Sequence, residues 1–581
     1  MSRSLPPTAG VCDGRCPMKR NEETGIADRM RVNRRTLLHA SGLVGGAAIA
    51  AGANVGLATS RPTPKDSATP PGAGTSNADD LPAGITEVMQ KPRYADSTWN
   101  LLVVDVDTGE TLVERDADQK ALTGSVRKLF SVGVALTQLG ADHRFTTPVY
   151  RQGTVDDRGV LTGNLVLVAA GDLTLGGRLN DDGTIAYTDF DHNDANNLGT
   201  AILPPQDPLH GLDSLAGQVR ASGITRVSGQ VAVDDRLFEH VRVPNQNLLI
   251  TPIMVNENMV DVTITPAQVG QPAAVTWRPE TGAFHVQSDV ITTAAGTEAA
   301  ISLFGNGMVT CVGTEGCAGT IEGSIPVDYQ APLSARPEAV QTFRIEDPAA
   351  FARIAFIEAL ERAGVTVDSA STLASSPDAL PAAGSYAPQD RVAAFISPPY
   401  AEYATLILKV SLNLGANLRL MLFGLAHGQR TMADALAVER QALVSRFGIA
   451  GDAFDFPTNG SGSPDSQATA RAAVQLLAAM GKTSVGSVYK QALPVLGVNG
   501  SLAGSGVTLP ARGHVFAKTG TTLDETGLKA QNLAGYIDAK SGRQLAFAIF
   551  LNDAGPIKQI SDVSEVFEDE AAITNAIYEA F

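Results

Sequence analysis

The chain has 581 residues, 44% of them apolar and 18% charged, with a formal net charge of −17 at pH 7. That length is too great for one hydrophobic core, so two or three units are expected, and the composition is that of an ordinary globular protein. The acidic balance excludes nucleic acid and anionic membrane surfaces as partners, so any anionic ligand must be held by a local Lys or Arg cluster.

Residues 31–60 read RVNRRTLLHASGLVGGAAIAAGANVGLATS. Arg34 and Arg35 precede an apolar run of small residues, from Ala40 to Ala58, without Asp, Glu, Lys or Arg. This pattern predicts a twin-arginine export signal over residues 1–60 and a periplasmic or other extracytoplasmic destination. Gly and Ala make the run a poor bilayer anchor, with a retained membrane anchor as the alternative. The segment before Arg31 is long for such a signal, and Met18 and Met30 are alternative starts. Residues 61–85 are rich in Pro, Gly, Ser, Thr and Asp and read as a disordered linker, so folding is expected to begin near residue 86. No second long apolar run follows.

Residues 99–106 alternate as a strand, Asp107-Thr108-Gly109 makes a turn, and 111–115 return as the second arm of a hairpin. A mostly buried helix is expected over 125–139, with Ser125 in its first turn and Gly140 at the capping position. Residues 145–345 are rich in Val, Thr, Gly and Asp. Strand-like runs stand at 165–169, 229–234, 260–265 and 299–304, beside one helical stretch at 212–221. Helical patterns return at 347–363 and between 400 and 481. Strands are expected at 514–519, 532–538 and 544–551, with a closing helix over about 561–581. Helices on a terminal antiparallel sheet, interrupted by a β-rich insertion, make the fold class α+β.

Three short motifs follow in order: Ser125-Val-Arg-Lys128, Ser411-Leu-Asn413, and Lys518-Thr519-Gly520 followed by Thr521. Ser125 and Lys128 are three apart on one helical face, so the amine can lie beside the hydroxyl. Serine needs a base to become a nucleophile, and lysine is one only when burial or a neighbouring cation lowers its pKa. Lys518 is the candidate cation. In extended or turn backbone Ser411 and Asn413 share a side. Ser411 is expected to relay a proton to the leaving group and Asn413 to bond a substrate amide. The strand at 518–521 suits an added peptide strand, and Gly520 permits close backbone approach. Lys518 and Thr521 are expected to hold a terminal carboxylate.

S-x-x-K alone is a weak signal, because Ser487-Val-Tyr-Lys490 repeats it. That copy falls after Ser411, and Pro494 would cut short a helix starting there, so it reads as a surface turn of helix. The ordered trio is stronger. With it stand GNLVLVAAGDLTL (163–175), VNENMVDVTITP (255–266), TNGSGS (458–463), LPVLGVNGSL (493–502) and NLAGYIDAKSGRQLAFAIFLN (532–552). On these segments residues 86–581 resemble the serine-type D-Ala-D-Ala carboxypeptidase/endopeptidase family, the class C low-molecular-mass penicillin-binding proteins. The two serines lie 286 positions apart (411 − 125), a spacing that favours this family over those with shorter insertions.

The resemblance implies a penicillin-binding/β-lactamase-like transpeptidase domain, an antiparallel sheet flanked by helices, formed by 86–150 and 386–581. It implies an inserted domain II (151–262 and 337–385) that itself holds a domain III (263–336). It also implies peptidoglycan stem peptides as substrate, β-lactam antibiotics as inhibitors, an acyl-enzyme on Ser125, Thr519, Gly520 and Thr521 as substrate-binding residues, and an oxyanion hole from the N–H groups of Ser125 and Thr521. A β-lactamase or esterase on the same framework and a non-catalytic cell-wall-binding module are the alternatives. Three positions depart from the family: Thr123-Gly124 stands for its Pro-Ala, Leu412 for the middle Asp of Ser-Asp-Asn, and Asn459 for the Asp of D-G-S-G.

No cofactor and no metal are expected, since neither paired C-x-x-C motifs nor H-E-x-x-H occurs. Export would permit a Cys311–Cys317 disulfide, with two free buried thiols as the alternative, while Cys12 and Cys16 lie in the N-terminal tail. Asp189, Asp191, His192 and Asp194 lack the Gly and closing Glu of a calcium loop and read as an acidic surface loop. His514 reads as a strand residue and not as a base.

Overall fold

The computed structural model describes residues 81–369, 380–558 and 560–581. The paired arginines, the apolar run after them, Cys12 and Cys16 lie outside the described residues. No helix among the described residues is long and apolar enough to cross a membrane.

The hairpin forms from β1 (Thr98–Asp105) and β2 (Thr111–Arg115). Asp105 Oδ1 accepts the N–H groups of Asp107 and Thr108, which closes the turn. Helix α1 (Arg127–Leu139) follows, buried from Arg127 to Leu136 and ending at Gly140, whose φ of 87° lies in the left-handed region. Far along the chain come α2 (Tyr400–Lys409), α3 (Asn413–Ala426), α4 (Ala470–Gly481), β3 (Val515–Asp524), β4 (Gly527–Asp538), β5 (Gln544–Asn552) and α5 (Ile560–Ala580). The five strands make one antiparallel sheet in the order β2-β1-β5-β4-β3, so β3 is an edge.

Both faces of this sheet are covered, and the period of two decides which residue goes where. Leu102, Ala546, Ala548 and Phe550 pack against α1, α3 and α4. Their neighbours Leu101, Val103, Phe547 and Ile549 pack on the other face with Val563, Val566 and Ile573 of α5. Burying both faces explains the nearly unbroken apolar run of β5.

Between α1 and α2 the chain builds a six-stranded, a four-stranded and a three-stranded sheet around a separate core with helices His210–Ala221 and Pro348–Arg362. Strand Arg391–Ile396 joins the six-stranded sheet by pairing with Thr146–Val155. A disulfide links Cys311 to Cys317.

Two expectations need correction. The chain is already helical at Ala83–Met89, so the last three residues of the stretch read as linker belong to the fold, because Ile85 is buried with Val88 in the core shared with α5. The segment 189–194 is not an acidic surface loop: Asp191, His192 and Asp194 are buried. Arg178 binds both oxygens of Asp191 and also reaches Glu257, while His192 bridges Glu257 and Asp261 at 2.7 Å each. These charges are buried because each meets an opposite one.

Candidate active site

Ser125 lies in a 3-10 turn, Gly124–Val126, that leads into α1, one step before the α-helix proper. Gly124 has φ +46°, and a Cβ there would stand 2.6 Å from the Thr521 nitrogen. A Cβ on Gly520 would stand 2.3 Å from the Thr123 carbonyl oxygen. Two glycines facing one another thus let the turn and edge strand β3 touch backbone to backbone, which draws the N–H groups of Ser125 and Thr521 to one place.

Lys128 Nζ lies 2.6 Å from Ser125 Oγ, 2.6 Å from Asn413 Oδ1, 3.1 Å from the Ser461 carbonyl oxygen and 3.4 Å from Ser411 Oγ. A neutral amine has two N–H donors and one lone pair. Asn413 and the Ser461 carbonyl take the two donors, which leaves the lone pair for the Ser125 hydroxyl proton. Burial drives the Lys128 pKa well below 10.5, the nearby Lys518 adds to the shift, and Arg127 adds less. Lys518 is also fully buried, donates to the Thr519 carbonyl at 2.9 Å, and is lowered by burial to about 7.

Ser411 sits at the break between α2 and α3 with φ +59°, and Asn413 is the first residue of α3. The left-handed residue lets the chain reverse between two helices, so Ser411 and Asn413 both face Lys128. Leu412, between them, is buried among the apolar residues of α1–α3 and caps α3 by its backbone alone. Thr519 bonds Ser501 at 2.9 Å, and Thr521 donates to Gln531 Oε1 at 2.5 Å.

Sequence reasoning missed several supports. Asn417 donates to the Asn413 carbonyl and accepts from Gly460 N–H. Asn459 Oδ1 accepts from the N–H groups of Ser461 and Gly462 and from the Ser461 hydroxyl, and its Nδ2 donates to Thr458 Oγ1 and the Ser463 carbonyl. Together they hold the Ser461 carbonyl on Lys128. The N-G-S-G segment was visible as a family segment, but its role needs the fold. Asp194, from the inserted region, lines a cleft of about 240 Å³ with Asp189, Ser411, Ser501 and Glu568. Burial raises its carboxyl to about 6, opposed by a bond from Asn197 and the charge of Lys128.

The repeated motif lies elsewhere. Lys490 is paired with Asp538 at 2.6 Å in the short helix Gly486–Gln491, and Ser487 bonds Gln491. His514 precedes β3 and packs against the ring of Tyr578. Asp191, His192 and Glu257 stand close enough to hold a cation, but their donor atoms are already bound to Arg178, Asp261 and one another.

The profile of the D-Ala-D-Ala carboxypeptidase 3 (S13) family matches residues 81–571. A D-alanyl-D-alanine carboxypeptidase of Actinomadura sp. (strain R39) is 29% identical over 516 residues, covering 84% of this chain and 85% of that protein. Penicillin binding protein 4 (dacB) of Haemophilus influenzae superposes with a TM-score of 0.62 at 17% identity, over 85% of this chain and 99% of that one. The same protein complexed with a β-lactam gives 0.60 over the same shares. These structural likenesses establish the fold, an antiparallel sheet flanked by helices with a large insertion.

Proposed function

This chain belongs to the D-Ala-D-Ala carboxypeptidase 3 (S13) family, and from that premise we propose that it cleaves D-Ala-D-X bonds of peptidoglycan stem peptides through an acyl-enzyme on Ser125. The observation that carries this reading is the 2.6 Å approach of a buried lysine amine to a buried serine hydroxyl, with a second lysine and no hydrogen-bonded carboxylate on the amine. Lys128 takes the Ser125 proton as Oγ attacks the carbonyl carbon. The N–H groups of Ser125 and Thr521 receive the oxyanion. The substrate lies as an added strand on β3, with Lys518, Thr519 and Thr521 at its terminal carboxylate and Asn413 at its amide. Ser411 hands a proton from Lys128 to the leaving amine, and water then attacks the ester to free the enzyme.

The same donors and charge suit a β-lactam, whose ring carbonyl and carboxylate repeat those of the peptide. The penicillin-binding likeness above supports that reading. Enzymes of the family act on cell wall, outside the cytoplasm; the twin-arginine pattern at Arg34-Arg35 supports the Tat route for reaching it.

Incubation with penicillin followed by peptide mass mapping tests the proposal. The expected result is a penicilloyl adduct on the peptide containing Ser125, absent in Ser125→Ala. An adduct confined to another serine, or none, overturns it. Release of D-Ala from a D-Ala-D-Ala peptide, set against cleavage of cross-linked muropeptides, then separates carboxypeptidase from endopeptidase action.

A further inference from the structure

Behind Thr521 runs a chain of buried groups that the mechanism above does not use. Thr521 on β3 stands directly across from Gln531 on β4 and donates its hydroxyl to Gln531 Oε1 at 2.5 Å. Gln531 Nε2 donates in turn to Glu570 Oε2 on α5 at 2.9 Å. Thr521, Gln531 and Glu570 are each no more than 1% exposed, and Glu570 Oε1 has no hydrogen-bond partner among the described residues. A buried carboxylate with one oxygen unpaired is costly, and accepting a proton removes that cost.

The side-chain amide between them can face either way. With Glu570 ionised, Gln531 must donate to it, so Gln531 Oε1 takes the Thr521 proton and the hydroxyl offers a substrate only lone pairs. With Glu570 protonated, its O–H donates to Gln531 Oε1 once the amide has turned over, Gln531 Nε2 donates to Thr521 Oγ1, and the Thr521 proton is free. Only the second arrangement gives a donor to an anionic ligand.

We propose that Glu570 is a positioning residue that sets, through Gln531, whether the Thr521 hydroxyl donates to the substrate's terminal carboxylate. This rests on the reading of Thr521 as a carboxylate ligand given above.

The surroundings agree with a titrating group. Burial raises Glu570 to about 8, opposed by the bond from Gln531 and reinforced by the charge of Asp569. Asp569 is itself paired with Lys91 and bonded by Tyr94 at 2.7 Å, and Arg93 is taken by Glu565. From β3 and β4 the facing groups are Thr521 and Gln531, neither of which ionises. Lys91 and Arg93 are thus spent on other acids.

The test compares Ser125 acylation by penicillin with acylation by its methyl ester, which lacks the carboxylate, in the full chain between about pH 6 and pH 9.5. The readout is the preference for the free acid. Lys518 loses charge over the same range, so wild type is set against Glu570→Gln, which can donate at every pH and has no proton to lose. Over that range the wild-type preference should fall about tenfold more than that of Glu570→Gln. Gln531→Leu, measured in parallel, cuts the chain at its middle link and should behave as Glu570→Gln does. Parallel curves for wild type and either variant overturn the inference. Absence of any Ser125 adduct in wild type overturns instead the reading on which it rests.

Discussion

Two clusters of buried charge lie in this chain, and they follow opposite rules. In the inserted region Arg178, Asp191, His192, Glu257 and Asp261 alternate in sign, and each is bonded to an opposite charge. At the head of α1, Lys128 and Lys518 share a sign, and their bonds go to hydroxyl, amide and carbonyl oxygens. Pairing fixes ionised states: burial alone would depress His192, yet Asp261 and Glu257 hold it up at about 10. Lack of pairing favours release of a proton: burial, with the like charge of Lys518 beside it, lowers Lys128 well below 10.5. The first arrangement holds its charges in place, and the second suits the base we propose.

The contrast is broken most severely at Lys128. Lys128→Arg puts a permanent cation where the account has a free amine and cannot take a proton, so Ser125 acylation by penicillin should drop by about a thousandfold or more in stopped-flow or mass assays. Asn413→Ala frees one amine donor and should cost less. In the paired cluster, Arg178→Met leaves Asp191 without its bonded cation and Glu257 with His192 alone, and calorimetry should register a loss of about 3–5 kcal/mol.

The paired cluster also carries a pH signature. His192 has a folded pKa above its unfolded value of 6.5, so its contribution is complete below about 6.5 and is lost as pH rises through about 10. The melting temperature should fall across that window in wild type, and His192→Gln should flatten that slope. A smaller effect is expected at Asn459→Asp, which restores the residue usual in the family. The carboxylate keeps the three bonds that Oδ1 accepts but loses the donors to the Ser463 carbonyl and to Thr458 Oγ1, at about 1–2 kcal/mol.

The cluster around Lys128 was legible in the sequence to the extent that its spacing is local. Ser125 and Lys128 share one turn, Ser411 and Asn413 flank one residue, and Lys518–Thr521 is one strand. The paired cluster was not legible, since His192 meets partners 65 and 69 positions away and a run of Asp around one His resembles a solvated loop. The Ser461 carbonyl reaches Lys128 across 333 positions, and a backbone acceptor leaves no mark in the sequence. Glu570 sits in a run of acids on α5, where nothing marks the one that faces the sheet. The apolar runs predicted the strands of the terminal sheet and its closing helix, whereas the left-handed Ser411 and the 3-10 turn at Ser125 are backbone details set by tertiary packing.

The pH dependence of Ser125 acylation by penicillin tests the claim that Lys128 is a free amine most directly. The account predicts full rate near neutrality, an acid limb far below the ordinary lysine value of 10.5, and a decline above about 7 as Lys518 loses its charge. A rate that climbs steadily toward pH 10, as an ordinary lysine base would give, would contradict it.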